Sequence, residues 1–267
     1  MSETKTGAAA ALRLELDGDI AFIVADNAAR MNAFTAAMWE ALPVLIAQAE
    51  RDTAVRVVVL RGAGERAFSA GADISEFDTA RSGDKAAAYD ALSDAAFTAL
   101  TRCAKPTIAM IHGFCLGGGL GVALCADIRL ADDKAEFAIP AAKLGLGYNA
   151  RWVRPLLAAV PPSRAKEMLF TARRFKAPEA VAMGLVSRLV PASELGAVVC
   201  ALAGEIAANA PLTVRAAKRT IDELVRHPET PDLAALDAAV TACFASEDYA
   251  EGRRAFLEKR KPRFQGR

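Results

Sequence analysis

The sequence predicts an α/β fold followed by an all-helical tail. Three observations support this fold class. Apolar, largely β-branched runs such as residues 55–60 are typical of strands buried on both faces. Segments with apolar residues at helical spacing lie between these runs, and no strand pattern follows Ser193. The 267 residues suffice for one large domain or for a domain with a small appendage. We predict a core over residues 1–195 and a helical region over residues 196–267.

Strands and helices are predicted in order from apolar spacing and from the Gly and Pro residues at their ends. Two strands, residues 12–16 and 20–24, meet at the turn Asp17-Gly18-Asp19, and a helix follows over residues 33–51. Further strands are predicted at 55–60, 106–111, 127–130, 136–139 and 185–190, and further helices at 85–103, 118–126, 149–160, 163–170 and 178–183. Pro211 stands where a helix begins, and tail helices are predicted at 212–226, 233–245 and 249–259.

Composition narrows the classes of partner. The 33 Lys and Arg residues nearly cancel the 32 Asp and Glu residues, which argues against a nucleic acid or a membrane surface as the main partner. The five cysteines are odd in number and widely spaced, so a disulfide framework or a zinc site is not expected and a reducing cytosol fits. Residues 1–9 are predicted to be a disordered lead. We expect a soluble cytoplasmic protein without a membrane span or a metal site.

A cluster of glycines, Gly117-Gly118-Gly119-Leu120-Gly121, follows the apolar segment TIAMI and begins a helix. Unpaired amides and the positive end of the helix dipole meet there, which favours a phosphate or an oxygen that becomes negative during a reaction. A dinucleotide fingerprint is one alternative, but its glycine spacing and its following acid are not matched. Glycines that only permit close packing of helix and strand are the other alternative.

A second segment of small residues, Ser69-Ala70-Gly71-Ala72-Asp73-Ile74, also follows a strand and a loop. Its small side chains let a ligand approach the backbone, and the N–H of Ala72 is a candidate second donor. Alone this signal is weak. Paired with the glycine cluster about forty-five residues later, it predicts an oxyanion hole for a thioester carbonyl.

With these motifs the chain resembles the crotonase (enoyl-CoA hydratase/isomerase) superfamily over nearly its whole length. The matching stretches are Met31-Asn32-Ala33, AFSAGADI, HGFCLGGG, ALCADIRLA, FTARRFKAPEAVAMGLVSRLVP and SEDYAEGRRAFLEKRKPRF. The resemblance implies a crotonase-like spiral of ββα units with a C-terminal all-helical trimerisation region. It also implies self-association as a homotrimer or a dimer of trimers.

The resemblance further implies a site for an acyl-CoA substrate, with coenzyme A as part of that substrate and no separate cofactor. The thioester carbonyl oxygen would lie between the backbone amides of Ala72 and Gly118, where an enolate is stabilised. The family's CoA contacts fall on Arg30, Ala33, Ala70, Asp73 and Ile74, and those made across the subunit interface fall on Phe256 and Lys259. For Lys259 a solvated cation in the tail is the alternative.

Two positions depart from the family pattern. Hydratases of this family use two glutamates, and the matching residues here are Gly121 and Ala141. Neither side chain can transfer a proton, so two-carboxylate acid/base catalysis, worth roughly 10²–10⁴-fold per positioned group, is not available from these positions. Ordinary hydration of an enoyl-CoA is therefore not expected from them.

Tyr148, in the stretch LGLGYN, is the residue we expect to act instead. A similar stretch occurs in family members that decarboxylate methylmalonyl-CoA, where the tyrosine is functional. Decarboxylation forms an enolate directly and needs no strong base, and a phenol can orient the departing carboxylate. The alternative is that Tyr148 only packs. Arg151 and Arg154 are candidates to meet a substrate carboxylate, with a charged helix face as their alternative role.

The remaining candidates are interpreted as structural. Glu76, Asp78 and Asp84 are candidates for a displaced base, with solvated carboxylates as the alternative. His112 is expected to be structural, His227 to lie at the surface, and Cys115 to be an inert thiol in apolar surroundings. We therefore predict a CoA-thioester enzyme that decarboxylates a malonyl-type CoA, with hydratase or isomerase chemistry by relocated acids as the alternative. A non-catalytic acyl-CoA-binding scaffold is the alternative from another class, and an RNA-binding role finds no basic stripe in the sequence.

Overall fold

The structure, a computed structural model, describes residues 10–76 and 86–267. Its strands are β1 (Ala11–Asp17), β2 (Ile20–Asp26), β3 (Val57–Gly62), β4 (Ala67–Ser69), β5 (Thr107–Ile111), β6 (Phe114–Leu116), β7 (Ile128–Asp132), β8 (Glu136–Ala138), β9 (Phe175–Lys176) and β10 (Arg188–Val190). The α-helices of the described residues are α1 (Ala36–Arg51), α2 (Ala86–Thr101), α3 (Gly118–Cys125), α4 (Ala150–Ala159), α5 (Pro162–Thr171), α6 (Ala177–Ala182), α7 (Leu195–Ala207), α8 (Pro211–Arg226), α9 (Leu233–Phe244) and α10 (Glu247–Leu257). The α/β class predicted from the sequence is confirmed.

From β3 to β8, successive strands alternate between two sheets. The larger sheet has the order β1-β2-β3-β5-β7-β10 and is parallel except for the β1–β2 hairpin, whereas β4, β6, β8 and β9 form a smaller one. The pairs β3–β4, β5–β6 and β7–β8 each place one strand in the larger sheet and the next in the smaller sheet, and a helix follows each pair. This is the predicted spiral of ββα units. The short strands β4, β6 and β9 were not predicted, because two or three residues show too little apolar alternation for a strand to be recognised.

Helices cover both faces of the larger sheet. On one face, α1 and α2 bury Trp39, Leu42 and Phe97 in the main core cluster. On the other face, Leu195 and Val199 of α7 pack with Val57, Val59 and Ile108. Because both faces are covered, the central strands are continuous apolar runs rather than alternating ones.

The predicted boundary at residue 195 lies at the first residue of α7. This helix packs on the larger sheet, so the packing of the sheet extends to Ala207. Beyond it, α8 has no buried residue and α9 has only Leu236, although both carry apolar side chains such as Ile221 (62 % exposed) and Phe244 (63 % exposed). The tail of this single chain therefore leaves an apolar surface uncovered.

Helix α1 begins later than predicted. It starts at Ala36 rather than at residue 33, with the Thr35 hydroxyl accepting a hydrogen bond from the amide of Met38. Met31 and Asn32 both have positive φ, which ends helical geometry before that point. The predicted disordered lead, residues 1–9, lies outside the described residues.

Candidate functional site

The two glycine-bearing segments meet at one edge of the smaller sheet. They follow β4 and β6, which pair in parallel, so their carboxyl ends lie side by side. At Gly71, where φ is 103°, an added Cβ would lie 3.2 Å from the nitrogen of Gly118 and 3.0 Å from the carbonyl oxygen of Leu116. At Gly118 an added Cβ would lie 3.6 Å from the nitrogen of Ala72. The pairing of these segments was predicted, and a side chain at Gly71 would force them apart.

The backbone amides of Ala72 and Gly118 are two donors at this junction. Neither N–H has an acceptor among the described residues. Neighbouring amides do have acceptors: Ala70 donates to Met31 O, Gly71 to Ser69 Oγ, Asp73 to Phe34 O and Gly117 to Ala138 O. Gly118 is also the first residue of α3, where helix amides lack intrahelical acceptors and the dipole is positive. The arrangement favours an oxygen that carries negative charge.

Asn32 holds the connection between β3 and β4, the strand that leads to Ala72, a role that the sequence analysis missed. Its buried side chain donates to the carbonyl oxygens of Ala67 at 2.7 Å and Ala63 at 3.0 Å, and it accepts from the amide of Asn27 at 3.1 Å. The sequence offered one indication of this role, an asparagine among apolar residues. Asn tolerates the left-handed backbone conformation that Asn32 adopts here.

Arg30 and Asp73, both predicted to contact CoA, pair with each other. The guanidinium donates to the Asp73 carboxylate at 2.9 Å. Burial by itself raises the pKa of Asp73, but hydrogen bonds from the hydroxyl and amide of Ser75, together with the charge of Arg30, lower it below its ordinary value. Asp73 is therefore a buried anion, whereas the side chain of Arg30 remains 54 % exposed. The pair leaves about half of the Arg30 side chain open to solvent.

Ala72 and Gly118 line a cavity of about 100 Å³. Its wall is mainly aromatic and aliphatic, and no charged side chain belongs to it within the described ranges. The lining residues are Trp39, Ala70, Gly71, Ala72, Ile74, Tyr89, Ser93, Phe97, Gly117, Gly118, Ile139, Pro140, Ala141, Leu144, Leu146, Tyr148 and Trp152. An apolar recess with a few convergent polar groups is the usual form of a small-molecule site.

Tyr148 lines this cavity, as the sequence analysis required of a functional residue. Its ring lies edge-on to Trp152, with centroids 5.3 Å apart. Its hydroxyl has no hydrogen-bond partner in the described part of the chain. Burial raises the pKa of the phenol above its ordinary value, so the group is neutral and is available as a donor at physiological pH. The ring packs, but its polar end is not used for packing.

The arginines beside Tyr148 have protein partners. Arg151 pairs with Asp94, whose other carboxylate oxygen accepts from the indole nitrogen of Trp152 at 2.8 Å. Arg154 donates to the carbonyl oxygen of Arg226 at 3.4 Å. Both arginines therefore belong to a charged helix face, the alternative role given to them from the sequence. Asp94 also fixes the orientation of Trp152 against Tyr148.

The two positions that depart from the family pattern differ in what surrounds them. Ala141 is 7 % exposed and lines the cavity. Gly121 is buried inside α3, and an added Cβ would lie 2.6 Å from Cζ of Phe97. The ring of Phe97 therefore fills the space that a side chain at position 121 would need. The sequence analysis did not identify Phe97, because nothing in the pattern of α2 distinguishes it from other core residues.

Among the described residues, the remaining candidates for acid/base chemistry make structural contacts. Glu76 accepts a hydrogen bond from the amide of Ala36 at 2.8 Å, at the start of α1. Asp78 and Asp84 lie outside the described residues. His112 contacts the buried carboxylate of Asp132 at 3.1 Å.

The cysteines and the remaining histidine take no part in the cavity. Cys115 is fully buried, and burial raises the pKa of its thiol. His227 lies at the end of α8. No group of three or more His, Cys, Asp or Glu residues that could hold a metal ion occurs in residues 10–76 and 86–267.

The remaining predicted CoA contacts are dispersed in this single chain. Ile74 lies at the cavity and is 62 % exposed, whereas Ala33 is buried and does not line the cavity. Phe256, at the end of α10, is 84 % exposed, and Lys259 follows it with a φ of 54°. Neither lines the cavity of its own chain.

No single helix of the described residues is both long enough and apolar enough to cross a membrane. The pair Leu195–Ala207 and Pro211–Arg226 meets that test only jointly, across a bend of 104°.

Comparisons with known proteins agree with the geometry. The family model for enoyl-CoA hydratase/isomerase matches residues 15–267. A short-chain-enoyl-CoA hydratase from Clostridium acetobutylicum is 35 % identical over 250 residues, covering 93 % of this chain and 95 % of that protein. A carnitinyl-CoA dehydratase from Proteus mirabilis is 35 % identical over 260 residues, covering 96 % and 98 %.

Solved structures give the same result. An enoyl-CoA hydratase/carnithine racemase from Magnetospirillum magneticum superposes with a TM-score of 0.92 at 38 % identity and covers 96 % of both chains. An enoyl-CoA hydratase from Bacillus anthracis gives a TM-score of 0.89 at 30 % identity, covering 96 % of this chain and 99 % of the other. The chain therefore belongs to the enoyl-CoA hydratase/isomerase family of acyl-CoA enzymes, the crotonase superfamily.

Proposed function

We propose that this enzyme decarboxylates a malonyl-type acyl-CoA. The amides of Ala72 and Gly118 hold the thioester carbonyl oxygen, and Tyr148 orients the substrate carboxylate. The observation that carries the proposal is the composition of the cavity wall. It combines two amides without acceptors and one partly buried phenol, and its described residues include no charged side chain.

The proposed reaction needs no protein base. The bond between the α-carbon and the carboxylate breaks, its electron pair moves into the thioester, and the carbonyl oxygen becomes an enolate oxygen while CO₂ leaves. Protonation of the α-carbon by water then gives the product acyl-CoA. The charge passes from the carboxylate to the oxygen between the two amides, where preorganised donors stabilise it. No cofactor takes part, because the thioester itself accepts the electron pair.

The apolar wall favours this direction of charge movement. A carboxylate in a recess without a cation loses hydration and gains no ion pair, whereas CO₂ is neutral and leaves readily. Tyr148 donates one hydrogen bond, which orients the carboxylate so that its bond to the α-carbon lies across the plane of the thioester. The raised pKa of the phenol keeps that donor protonated throughout the neutral range.

We assign the CoA portion to the residues around the mouth of the cavity. Arg30 has an exposed guanidinium beside Asp73, suited to a phosphate of CoA. Ala70 and Ile74 lie on the segment that carries Ala72, and Ala33 lies in the stretch that hydrogen-bonds to this segment. Phe256 and Lys259 serve a neighbouring copy, which their exposure at the end of α10 supports. The exposed apolar side chains of α8 and α9 support a homotrimer or dimer of trimers. We place the enzyme in the cytoplasm, which its five free cysteines suit.

Hydration or dehydration of an enoyl-CoA is the second candidate. The names of the Clostridium and Proteus relatives favour it. It requires a proton-transferring group other than those at positions 121 and 141, and the Glu76 carboxylate already accepts from the amide of Ala36. A scaffold that binds acyl-CoA without turnover is the third reading.

One experiment separates the three functions. The protein is incubated in parallel with malonyl-CoA, methylmalonyl-CoA and crotonyl-CoA, and all thioesters are followed by mass spectrometry. We expect loss of CO₂ from a malonyl-type substrate and no water addition to crotonyl-CoA. Hydration of crotonyl-CoA alone would contradict the proposal, and binding without any turnover would indicate the scaffold.

The role of Tyr148 is tested by Tyr148→Phe, which removes only the hydroxyl. Losing a hydrogen bond to a charged group costs about 1.5–3 kcal/mol, so we expect the decarboxylation rate to fall by about 10-fold to 100-fold. Tyr249→Phe, on the exposed side of α10, is the matched control and should leave the rate unchanged. An unchanged rate in Tyr148→Phe would remove the tyrosine from the mechanism.

A further inference from the structure

Phe97 lies between the candidate acyl cavity and helix α3. It is 8 % exposed and lines the cavity from α2. On its other side, Cζ would lie 2.6 Å, and both Cε atoms 3.3 Å, from a Cβ added to Gly121. The tip of the ring therefore points at the backbone of Gly121, and only a glycine there lets the ring occupy this position.

The ring is held in this position by a second contact. Trp39, another lining residue, packs edge to face against it, with centroids 5.7 Å apart and planes at 90°. A Cβ added to Gly118 would lie 3.1 Å from the Trp39 ring, so this ring also packs against the backbone of α3. The indole nitrogen of Trp39 donates to the Tyr89 hydroxyl at 3.2 Å. Phe97 is thus a rigid part of the wall, since movement toward α3 is blocked by Gly121 and movement sideways by Trp39.

The size of the cavity follows from this arrangement. A cavity of about 150 Å³ accommodates benzene, which has six carbon atoms. By proportion the cavity of about 100 Å³ holds about four carbon atoms. A smaller side chain at position 97 would extend the cavity toward α3, because the space beside Gly121 contains no side chain of its own.

We propose that Phe97, seated against Gly121, determines acyl-chain specificity and restricts the enzyme to short acyl groups of about four carbon atoms. The inference rests on the proposed function, because it takes this cavity to hold the acyl group. The Phe97 ring, which comes from α2, occupies the space that a side chain at position 121 of α3 would fill. A smaller residue at position 97 should therefore deepen the pocket, and a larger residue at position 121 should make it shallower.

The test measures binding rather than turnover. Dissociation constants of acetyl-, butyryl-, hexanoyl- and octanoyl-CoA are determined by calorimetry for the wild type and for Phe97→Ala, with Phe97→Leu as the milder variant. These saturated thioesters carry no carboxylate, so none is decarboxylated. We expect the wild type to bind hexanoyl-CoA at least about 10-fold more weakly than butyryl-CoA, and both variants to reduce or reverse that ratio.

Gly121→Ala supplies the opposite change. Its new methyl group pushes the Phe97 ring into the cavity, so the preference for the shortest acyl groups should increase. The double variant Phe97→Ala/Gly121→Ala should return toward the profile of Phe97→Ala, because the ring that the methyl group displaces is gone. Phe175→Ala, a fully buried phenylalanine of β9 outside the cavity, controls for a general loss of packing.

The outcomes separate the inference from the function on which it rests. A folded Phe97→Leu or Phe97→Ala protein with the wild-type chain-length profile would overturn the role of Phe97 while leaving the acyl-CoA site intact. The same shift in Phe175→Ala would also overturn it, because the effect would then be one of stability. If the wild type binds none of the four thioesters, the proposed function fails together with the inference.

Discussion

The side-chain amide of Asn32 donates to the carbonyl oxygen of Ala67 at a distance of 2.7 Å. Asn32 belongs to a left-handed turn after the first hairpin, whereas Ala67 begins the strand that leads to the candidate donor Ala72. The bond is buried, and the same amide group reaches Ala63. It therefore ties the start of β4, the strand that leads to one oxyanion donor, to a residue 35 positions earlier.

Replacing Asn32 with Ala should destabilise the fold. The carbonyl groups of Ala63 and Ala67 and the amide of Asn27 would lose their partner, and a residue less tolerant of positive φ would occupy the turn. Together these changes should lower the free energy of unfolding by about 2–5 kcal/mol. Urea denaturation measures the change. Asn209→Ala removes an exposed bond from the Asn209 amide to the carbonyl oxygen of Glu205 in α7; this variant is the control and should cost no more than about 0.5 kcal/mol. Equal costs at the two sites would show that the buried bonds are not structural.

Gly118→Pro should remove one oxyanion donor while preserving the helix. Gly118 is the first residue of α3, a position where proline is tolerated because its N–H has no intrahelical acceptor. We expect turnover of the thioester substrate to fall by about 10²–10³-fold. Steady-state kinetics give the effect, and circular dichroism checks the fold.

Gly118→Ala is the matched control for this experiment. It keeps the N–H but adds the same Cβ, which would lie 3.1 Å from the Trp39 ring. If alanine and proline reduce turnover equally, the contact with Trp39 explains the loss and the amide does not.

Stability at acid pH should depend on Asp132. Burial by itself raises the pKa of this carboxyl, but hydrogen bonds from His112 and from the amides of Gly113 and Lys134 outweigh it, so its pKa lies below the ordinary value. A carboxyl group with a lowered pKa in the folded state contributes stability that is complete above its unfolded pKa of about 3.9 and is lost as pH falls through the folded value.

The variant Asp132→Asn should therefore be less stable than the wild type at neutral pH and should converge with it below pH ~3.9. Midpoints of thermal unfolding over a series of pH values measure this difference. A constant gap between the two proteins down to the lowest pH would mean that ionisation of Asp132 is not the cause.

The exposed apolar side chains of the tail should lie in a subunit interface. Ile221 of α8 is 62 % exposed in the single chain. A charge there would be buried without a partner in an assembly, so Ile221→Glu should convert a trimer or hexamer to smaller species. Light scattering coupled to gel filtration measures the mass. Val44→Glu, at an exposed apolar site on α1 (54 % exposed), should leave the mass unchanged. A monomeric wild type would contradict the predicted assembly.

The amino-acid sequence was sufficient to predict the fold class, the family resemblance and the pairing of the two glycine-bearing segments. Each of these depends on local information: continuous apolar runs for the parallel strands, and small residues after a strand for the bare amides of Ala72 and Gly118. It also determined that positions 121 and 141 carry no acid, since residue identity alone decides that.

The surroundings of those positions became apparent only from the packing of the folded chain. Phe97 fills the space beside Gly121, Asp94 orients Trp152 against Tyr148, and Asn32 fastens the loop before Ala72. These contacts join residues 24 to 58 positions apart, and no periodicity within one element encodes them. Short strands such as β4 and β6 were missed for the same reason, because their stability comes from pairing across the chain rather than from their own few residues.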